Sequence, residues 1–168
     1  MAKVIILCGR IASGKTYYAN WLKSQTNAII LSVDDLMLKL SDSCLGSKND
    51  DIAVRCENYF YGLAEQITAA GQDAIIDFGY WSKKEREAAK NYFVQKGIPA
   101  ELHYVKISED KRLKQLNKRN EELLLFSENN KNERVYIIEE ELRQKLDLKF
   151  EEPSAEEIDK KIVELIKY

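Results

Sequence analysis

Val4-Ile5-Ile6-Leu7-Cys8, followed at once by Gly9-Arg10-Ile11-Ala12-Ser13-Gly14-Lys15-Thr16, decides the fold of this chain. Five apolar residues are strand length, and Tyr17-Tyr18-Ala19-Asn20-Trp21-Leu22-Lys23 beyond them is a helix-forming segment. Between the two lies a complete G-x-x-x-x-G-K-[ST] phosphate loop. Gly9 and Gly14 permit the close backbone approach with which successive N–H groups, through Ile11, Ala12 and Ser13, wrap a polyphosphate. The helix opening at Gly14 aims its free N–H groups and its dipole at the same anion. Lys15 adds a point charge for the β- and γ-phosphates, and Thr16 adds a hydroxyl ligand for Mg²⁺. The stretch predicts a nucleoside triphosphate site.

Composition bounds the rest. With 168 residues, 45% of them hydrophobic, the chain can bury one substantial core, and only two prolines and seven glycines leave no obvious linker. One domain over residues 1–168 is expected. The net charge of −2 and pI near 5.6 give no global basic field to hold nucleic acid. No apolar stretch approaches membrane-spanning length, and the short N-terminal run belongs to the phosphate-loop strand. Cys8, Cys44 and Cys56 are odd in number and lack metal-ligand spacing, so reduced thiols in the cytoplasm are expected. The single histidine, His103, falls inside an apolar run and reads as a structural residue.

Short apolar runs alternate with helix-period segments, the pattern of βαβ layers. Strands are expected at residues 3–8, 28–31, 74–77 and 102–107. Ile52, Cys56, Tyr59, Phe60, Leu63 and Ile67 make one helical stripe that stops at Gly71. Ser82 with Glu85 reads as a capping box whose helix ends at Gly97, with Pro99 beyond. Ser108 caps a helix rich in lysine and arginine. Ser154 with Glu157 reads as the start of a last amphipathic helix carrying Ile158, Ile162, Leu165 and Ile166. The polar patch Ser127-Glu128-Asn129-Asn130-Lys131-Asn132 interrupts the helical pattern and predicts a mobile loop between two helices.

Three further groups bear on chemistry. Ser32-Val33-Asp34-Asp35 follows the second strand, and carboxyl ends of parallel strands face the ligand crevice. One carboxylate there can accept the proton of an attacking hydroxyl while the other caps the next helix. Ile75-Ile76-Asp77 is an apolar strand ending in a carboxylate, the Walker B pattern that holds Mg²⁺ directly or through water. Beyond it, Tyr80 and Trp81 either pack or line an acceptor pocket. Finally, Lys111 to Asn120 is a cationic helix before a polar loop, the layout of a kinase lid over about residues 118–134. Arg119, or alternatively Arg134, would neutralise charge in the transition state.

Together, Gly9–Thr16, Ser32-Val33-Asp34-Asp35, Asp77-Phe78-Gly79-Tyr80-Trp81-Ser82 with Glu85-Arg86, Lys118-Arg119-Asn120 and Phe150-Glu151-Glu152-Pro153 resemble a group of P-loop kinase-like ATP-binding proteins, the AAA domain group of predicted kinases. That group is similar to the kinase half of phage polynucleotide kinase and, more distantly, to chloramphenicol phosphotransferase and zeta-toxin kinases. The resemblance implies an α/β P-loop NTPase fold: a parallel sheet of four or five strands in kinase order 2-3-1-4, helices on both faces and a helical lid. It implies ATP with Mg²⁺, Asp34 as general base, Arg119 as lid arginine, and Asp35, Tyr80 and Trp81 near the acceptor. Polynucleotide kinases carry an arginine three residues after the base, where this chain has Met37. With the acidic pI, that departure points to phosphoryl transfer onto a small-molecule hydroxyl, by a monomer or homodimer. Alternatives are a polynucleotide or nucleotide kinase, and a nucleotide-gated binding protein or slow ATPase.

Overall fold

A strand buried at every position is what a parallel sheet covered on both faces demands, and β1 (Val4–Cys8) has that pattern. In the computed structural model, which describes residues 1–40, 49–129 and 137–163, β1 leads through the phosphate loop into α1 (Lys15–Thr26). The chain continues through β2 (Ile29–Ser32), α2 (Val33–Leu40), α3 (Asn49–Ala69), β3 (Ala74–Gly79), α4 (Lys83–Gln95), β4 (Ala100–Lys106), α5 (Glu109–Asn129), α6 (Glu140–Lys149) and β5 (Lys160–Val163). The sheet order is β2-β3-β1-β4-β5, with every neighbouring pair parallel. The expected order 2-3-1-4 holds, with a fifth strand added beside β4.

Alternate residues of β1 feed two cores. Ile5 and Leu7 meet Tyr18, Ala19 and Leu22 of α1 on one face. Val4, Ile6 and Cys8 meet Phe60, Ala64 and Ile67 of α3 and Ala89 and Phe93 of α4 on the other. Each fully buried Ile or Leu contributes about 1.5–3 kcal/mol. The expected stops are present: Gly71 takes φ 83° beyond α3 and Gly97 takes φ 72° beyond α4. Ser82 and Glu85 form the complete capping box of α4. His103 is structural as expected, between the Tyr18 hydroxyl (2.9 Å) and Glu101 (3.0 Å).

Two expectations are corrected. The Ser154 segment does not start a helix. Ser154 and Glu157 close a tight turn on themselves, the Ser154 N–H donating to Glu157 Oε1 (2.9 Å) and the Glu157 N–H to Ser154 O (3.1 Å). Asp159 then docks onto β4, its N–H donating to Leu102 O (3.0 Å) and its carboxylate accepting from the Leu102 N–H (2.7 Å). The next residues pair along β4, which buries Ile162 against the α1 face. An unpaired ladder of backbone groups on β4 outweighs a local helical periodicity. Leu165 and Ile166 lie outside the described residues. The second correction concerns the polar patch: Ser127 to Asn129 are the last residues of α5, not a loop. Residues 130–132, and Arg134, lie outside the described residues.

Candidate active site

Strand register assembles the site. Ser32 at the end of β2 lies opposite Asp77 in β3, and Cys8 at the end of β1 lies opposite Gly79. The phosphate loop, the start of α2 and the Walker B carboxylate therefore leave the sheet at one edge. Gly9 is required there: a Cβ on it would stand 2.5 Å from the carbonyl oxygen of Val105 and 2.6 Å from Ser13 Oγ. Gly14 takes φ 94° as it caps α1, and Ala12 is held at φ 58°, a left-handed conformation that L-residues adopt at a cost. The loop is a strained turn closed by the Ser13 N–H donating to Arg10 O (3.1 Å).

Lys15 folds back across this turn, its Nζ donating to the carbonyl oxygens of Gly9 (2.9 Å) and Arg10 (3.1 Å). Thr16 Oγ1 donates to Asp77 Oδ2 at 2.9 Å, and Asp77 is buried. A hydroxyl and a carboxylate this close are hard oxygen donors, the set that fits Mg²⁺ with its remaining ligands from phosphate and water. No group of three or more His, Cys, Asp or Glu side chains that could hold a metal occurs among the described residues.

Asp34 and Asp35 sit in the first turn of α2. Neither is needed as the expected helix cap, because Ser32 Oγ accepts from the Asp35 N–H (3.3 Å). Asp34 remains accessible from solvent, as an incoming hydroxyl requires, but the surrounding wall governs its ionisation. Burial raises its pKa, Asp77 raises it further, and Lys15 and Arg119 pull it down. Lys15 has the mirror pattern: burial lowers its pKa, Asp77 and Asp34 oppose that, and Arg119 adds to the lowering. Lys15, Asp34, Asp77 and Arg119 thus share one electrostatic field. The Cys8 thiol beneath them is pushed by burial up to about 12, which keeps it protonated and inert.

The aromatic pair beyond β3 resolves towards packing. Gly79 at φ 107° and Tyr80 at φ 48° turn the chain so sharply that Trp81 Nε1 stands 2.9 Å from where a Gly79 Cβ would be. Tyr80 is buried, and its hydroxyl bonds that of Tyr61 at 2.9 Å. Trp81 is half-buried against the α3–α4 core, and its carbonyl accepts from the Glu151 N–H (2.8 Å). Met37, on the inner side of α2, rests its sulfur 4.0 Å from Cys56 Sγ.

Two residues of α5 make contacts that the sequence pattern does not predict. Arg112, inside the cationic run from Lys111 to Asn120, is buried and bonds the phosphate loop, α5 and α6 together. Its signal was Glu109 three residues earlier, an ion-pair spacing on a helix. Asn120 clasps the returning chain: its Nδ2 donates to Ile138 O (2.8 Å) and its Oδ1 accepts from the Ile138 N–H (3.3 Å). No local pattern announces that contact, which spans 18 positions.

The AAA domain family model (AAA_33) matches residues 4–144. This chain belongs to the AAA domain family. Solved structures similar to it share the fold of P-loop kinases. One is the Mycobacterium tuberculosis APS kinase CysC in complex with AMPPNP and APS, at 14% identity and TM-score 0.61, over 99% of this chain and 90% of that one. Another is Chaetomium thermophilum Kti12 in complex with ADP-AlF3, at 16% identity and TM-score 0.63, over 95% and 87%. A gluconokinase from Sinorhizobium meliloti 1021 matches at 11% identity and TM-score 0.58, over 96% and 81%. None of the curated proteins matches the sequence. No helix among the described residues of this AAA domain is long and apolar enough to cross a membrane.

Proposed function

We propose that this protein is an ATP-dependent phosphotransferase that moves the γ-phosphate of MgATP to the hydroxyl of a small molecule. The observation that carries the reading is the convergence, at the carboxyl ends of β1, β2 and β3, of the phosphate loop with Lys15, of Asp34 and of the Thr16–Asp77 contact at 2.9 Å, with Arg119 on α5 within electrostatic reach of Lys15 and Asp34. A phosphate-binding cation, a proton acceptor, a metal-type carboxylate and a lid arginine are the parts phosphoryl transfer to an alcohol needs.

In this reading the backbone N–H groups from Gly9 to Thr16 cradle the phosphates, and Lys15 leaves the Gly9 and Arg10 carbonyls to face them. Thr16 and Asp77 would hold Mg²⁺, which supplies charge neutralisation on the phosphate oxygens when bound. The acceptor oxygen attacks the γ-phosphorus and its proton passes to Asp34. The bond from the γ-phosphorus to the bridging oxygen breaks, with the electron pair leaving on ADP. A carboxylate whose pKa is raised is the stronger base for that proton, and Arg119 offsets negative charge on the transferring group. The lid is the segment of about residues 118–134, part of a single domain.

The acceptor side favours a small uncharged hydroxyl compound. Met37 turns a thioether towards Cys56 on the face of α2 next to Asp34, where a nucleic-acid end would need a cation. Asp35 stays exposed at the same mouth. The free thiols of Cys8 and Cys56 suit a reducing cytoplasm. The test is ATP consumption with wild type and Asp34→Asn against alcohols, sugars, nucleosides, antibiotics and 5′-hydroxyl oligonucleotides. An acceptor that stimulates wild type alone supports the proposal. Asp34→Asn turning over that acceptor at the wild-type rate refutes the assigned base.

A further inference from the structure

Helix α5 carries Arg112 and Arg119 seven residues apart, close to two turns, so both leave nearly the same helix face about 10.5 Å apart along the axis. Arg112 makes four hydrogen bonds from a buried position. Its Nε donates to Glu109 Oε2 (2.9 Å), and one terminal nitrogen donates to Glu109 Oε1 (2.6 Å) and Asp147 Oδ2 (2.7 Å). The other terminal nitrogen donates to the carbonyl oxygen of Ile11 (3.2 Å).

Those acceptors belong to three different parts of the site. Ile11 is in the phosphate loop, one residue before the left-handed Ala12. Glu109 begins α5 and also faces Arg10 at 3.6 Å. Asp147 lies near the end of α6, where Arg143 donates to it as well (2.9 Å). A guanidinium can join three such acceptors because its donors are fixed in one plane, whereas an ammonium is a single point charge. Asn120 then ties α5 to the chain entering α6. Arg119 is thereby mounted between two fixed points, one on the phosphate loop and one at the root of the returning strand of chain.

We infer that Arg112 is a positioning residue for phosphoryl transfer: it fixes the phosphate loop at Ile11 to α5 and α6, the two helices that flank the lid, and so sets where Arg119 stands relative to Lys15 and Asp34. The inference rests on the nucleotide-binding reading above. A purely structural Arg112 would stabilise α5 against α6 without distinguishing one nucleotide state from another. A positioning Arg112 acts on the state that needs Arg119.

The test is calorimetric binding of MgADP, with and without aluminium fluoride, to the full chain as wild type, Arg112→Lys, Arg119→Ala and the double variant. Aluminium fluoride with MgADP mimics the transferring phosphoryl group. Wild type should gain affinity on adding it, and Arg119→Ala should lose about 10²-fold of that gain. Arg112→Lys should lose about tenfold of it, as a displacement of less than about 1 Å can, while MgADP affinity itself falls by a smaller factor. In the Arg119→Ala background, Arg112→Lys should cost nothing more, because the two act as a unit. Equal loss of both ligands in Arg112→Lys overturns the inference. So does a full Arg112→Lys penalty in the absence of Arg119, or a wild type that gains nothing from aluminium fluoride. A wild type that does not bind MgADP refutes the proposed function, and the inference with it. Should Arg112→Lys fail to fold, the partly exposed Glu109→Gln carries the same test, and unchanged aluminium fluoride discrimination there overturns the inference.

Discussion

Replacing Lys15 by Met should remove nucleotide binding while leaving the fold in place. Both Nζ hydrogen bonds go to carbonyl oxygens of the loop itself, at 2.9 and 3.1 Å, rather than to the sheet. Losing them costs about 0.5–1.5 kcal/mol each, and up to about 3 for a charged donor. Against that, burial lowers the pKa of Lys15, so folding carries a penalty for the charged ammonium that Met, of similar length, does not. The two effects oppose each other, so the ligand-free variant should lose less than about 3 kcal/mol, or about 6–12 °C for a domain of this length. The penalty has a pH signature. It is full below the folded pKa of Lys15 and gone above the ordinary lysine pKa, so wild type gains on Lys15→Met as pH rises through that window. Ligand reads the other half. Wild type with MgATP at one hundred times Kd gains about 2.7 kcal/mol, which corresponds to about 5–11 °C. Lys15→Met should show no shift at that concentration in a thermal-shift assay. A retained shift refutes the phosphate-loop role of Lys15, and a ligand-free loss beyond about 12 °C, or about 3 kcal/mol, makes the lysine structural.

Asp34→Asn should slow transfer by about 10²-fold or more while leaving MgATP binding nearly intact, measured by steady-state kinetics on whichever acceptor the screen yields. Because the folded pKa of Asp34 is raised, its ionised form opposes folding, so the same variant should melt higher than wild type at neutral pH. That difference should vanish below the ordinary aspartate pKa. Arg86→Met should destabilise by about 3–5 kcal/mol in chemical denaturation, since it strands the Glu157 partner of a buried pair. Burial alone would raise the Glu157 carboxyl, but Arg86 and Ser154 hold it below its ordinary value. That contribution should be present above the ordinary glutamate pKa and lost as pH falls through the folded one, and a pH-independent Arg86→Met penalty contradicts the pairing. Amides of residues 118–129 should exchange more slowly with MgATP bound than without, and unchanged hydrogen exchange there counts against a lid.

The sheet was legible because its strands are apolar runs bounded by glycine and carboxylate, and the phosphate loop fixes which strand comes first. That Lys15, Thr16, Asp34 and Asp77 converge was legible for a related reason: each lies in or just beyond the carboxyl-terminal part of a strand, and parallel register carries those ends to one side of the sheet. The Ser154 segment misled because a capping-box pair can close a turn as well as open a helix. What decides is the unpaired edge of β4, a partner more than 50 residues away in sequence. Arg112 misled because charge runs say nothing about which member is buried. That depends on Ile11 and Asp147 arriving from other parts of the chain.

The clasp between Asn120 and Ile138 makes the stretch of chain between them a cartridge. One side chain closes the excursion at its root, so the sheet senses the root and not the length of what lies beyond it. Closing a loop costs only about 0.6 kcal/mol more for each doubling of its length. Insertions or replacements beyond Asn129 should therefore leave the phosphate loop, Asp34 and Asp77 where they are. A chain built this way can vary the stretch between Asn120 and Ile138 while keeping what lies beneath it, and, if the proposed kinase reading holds, segments exchanged between relatives at that root are the natural units for altering acceptor choice.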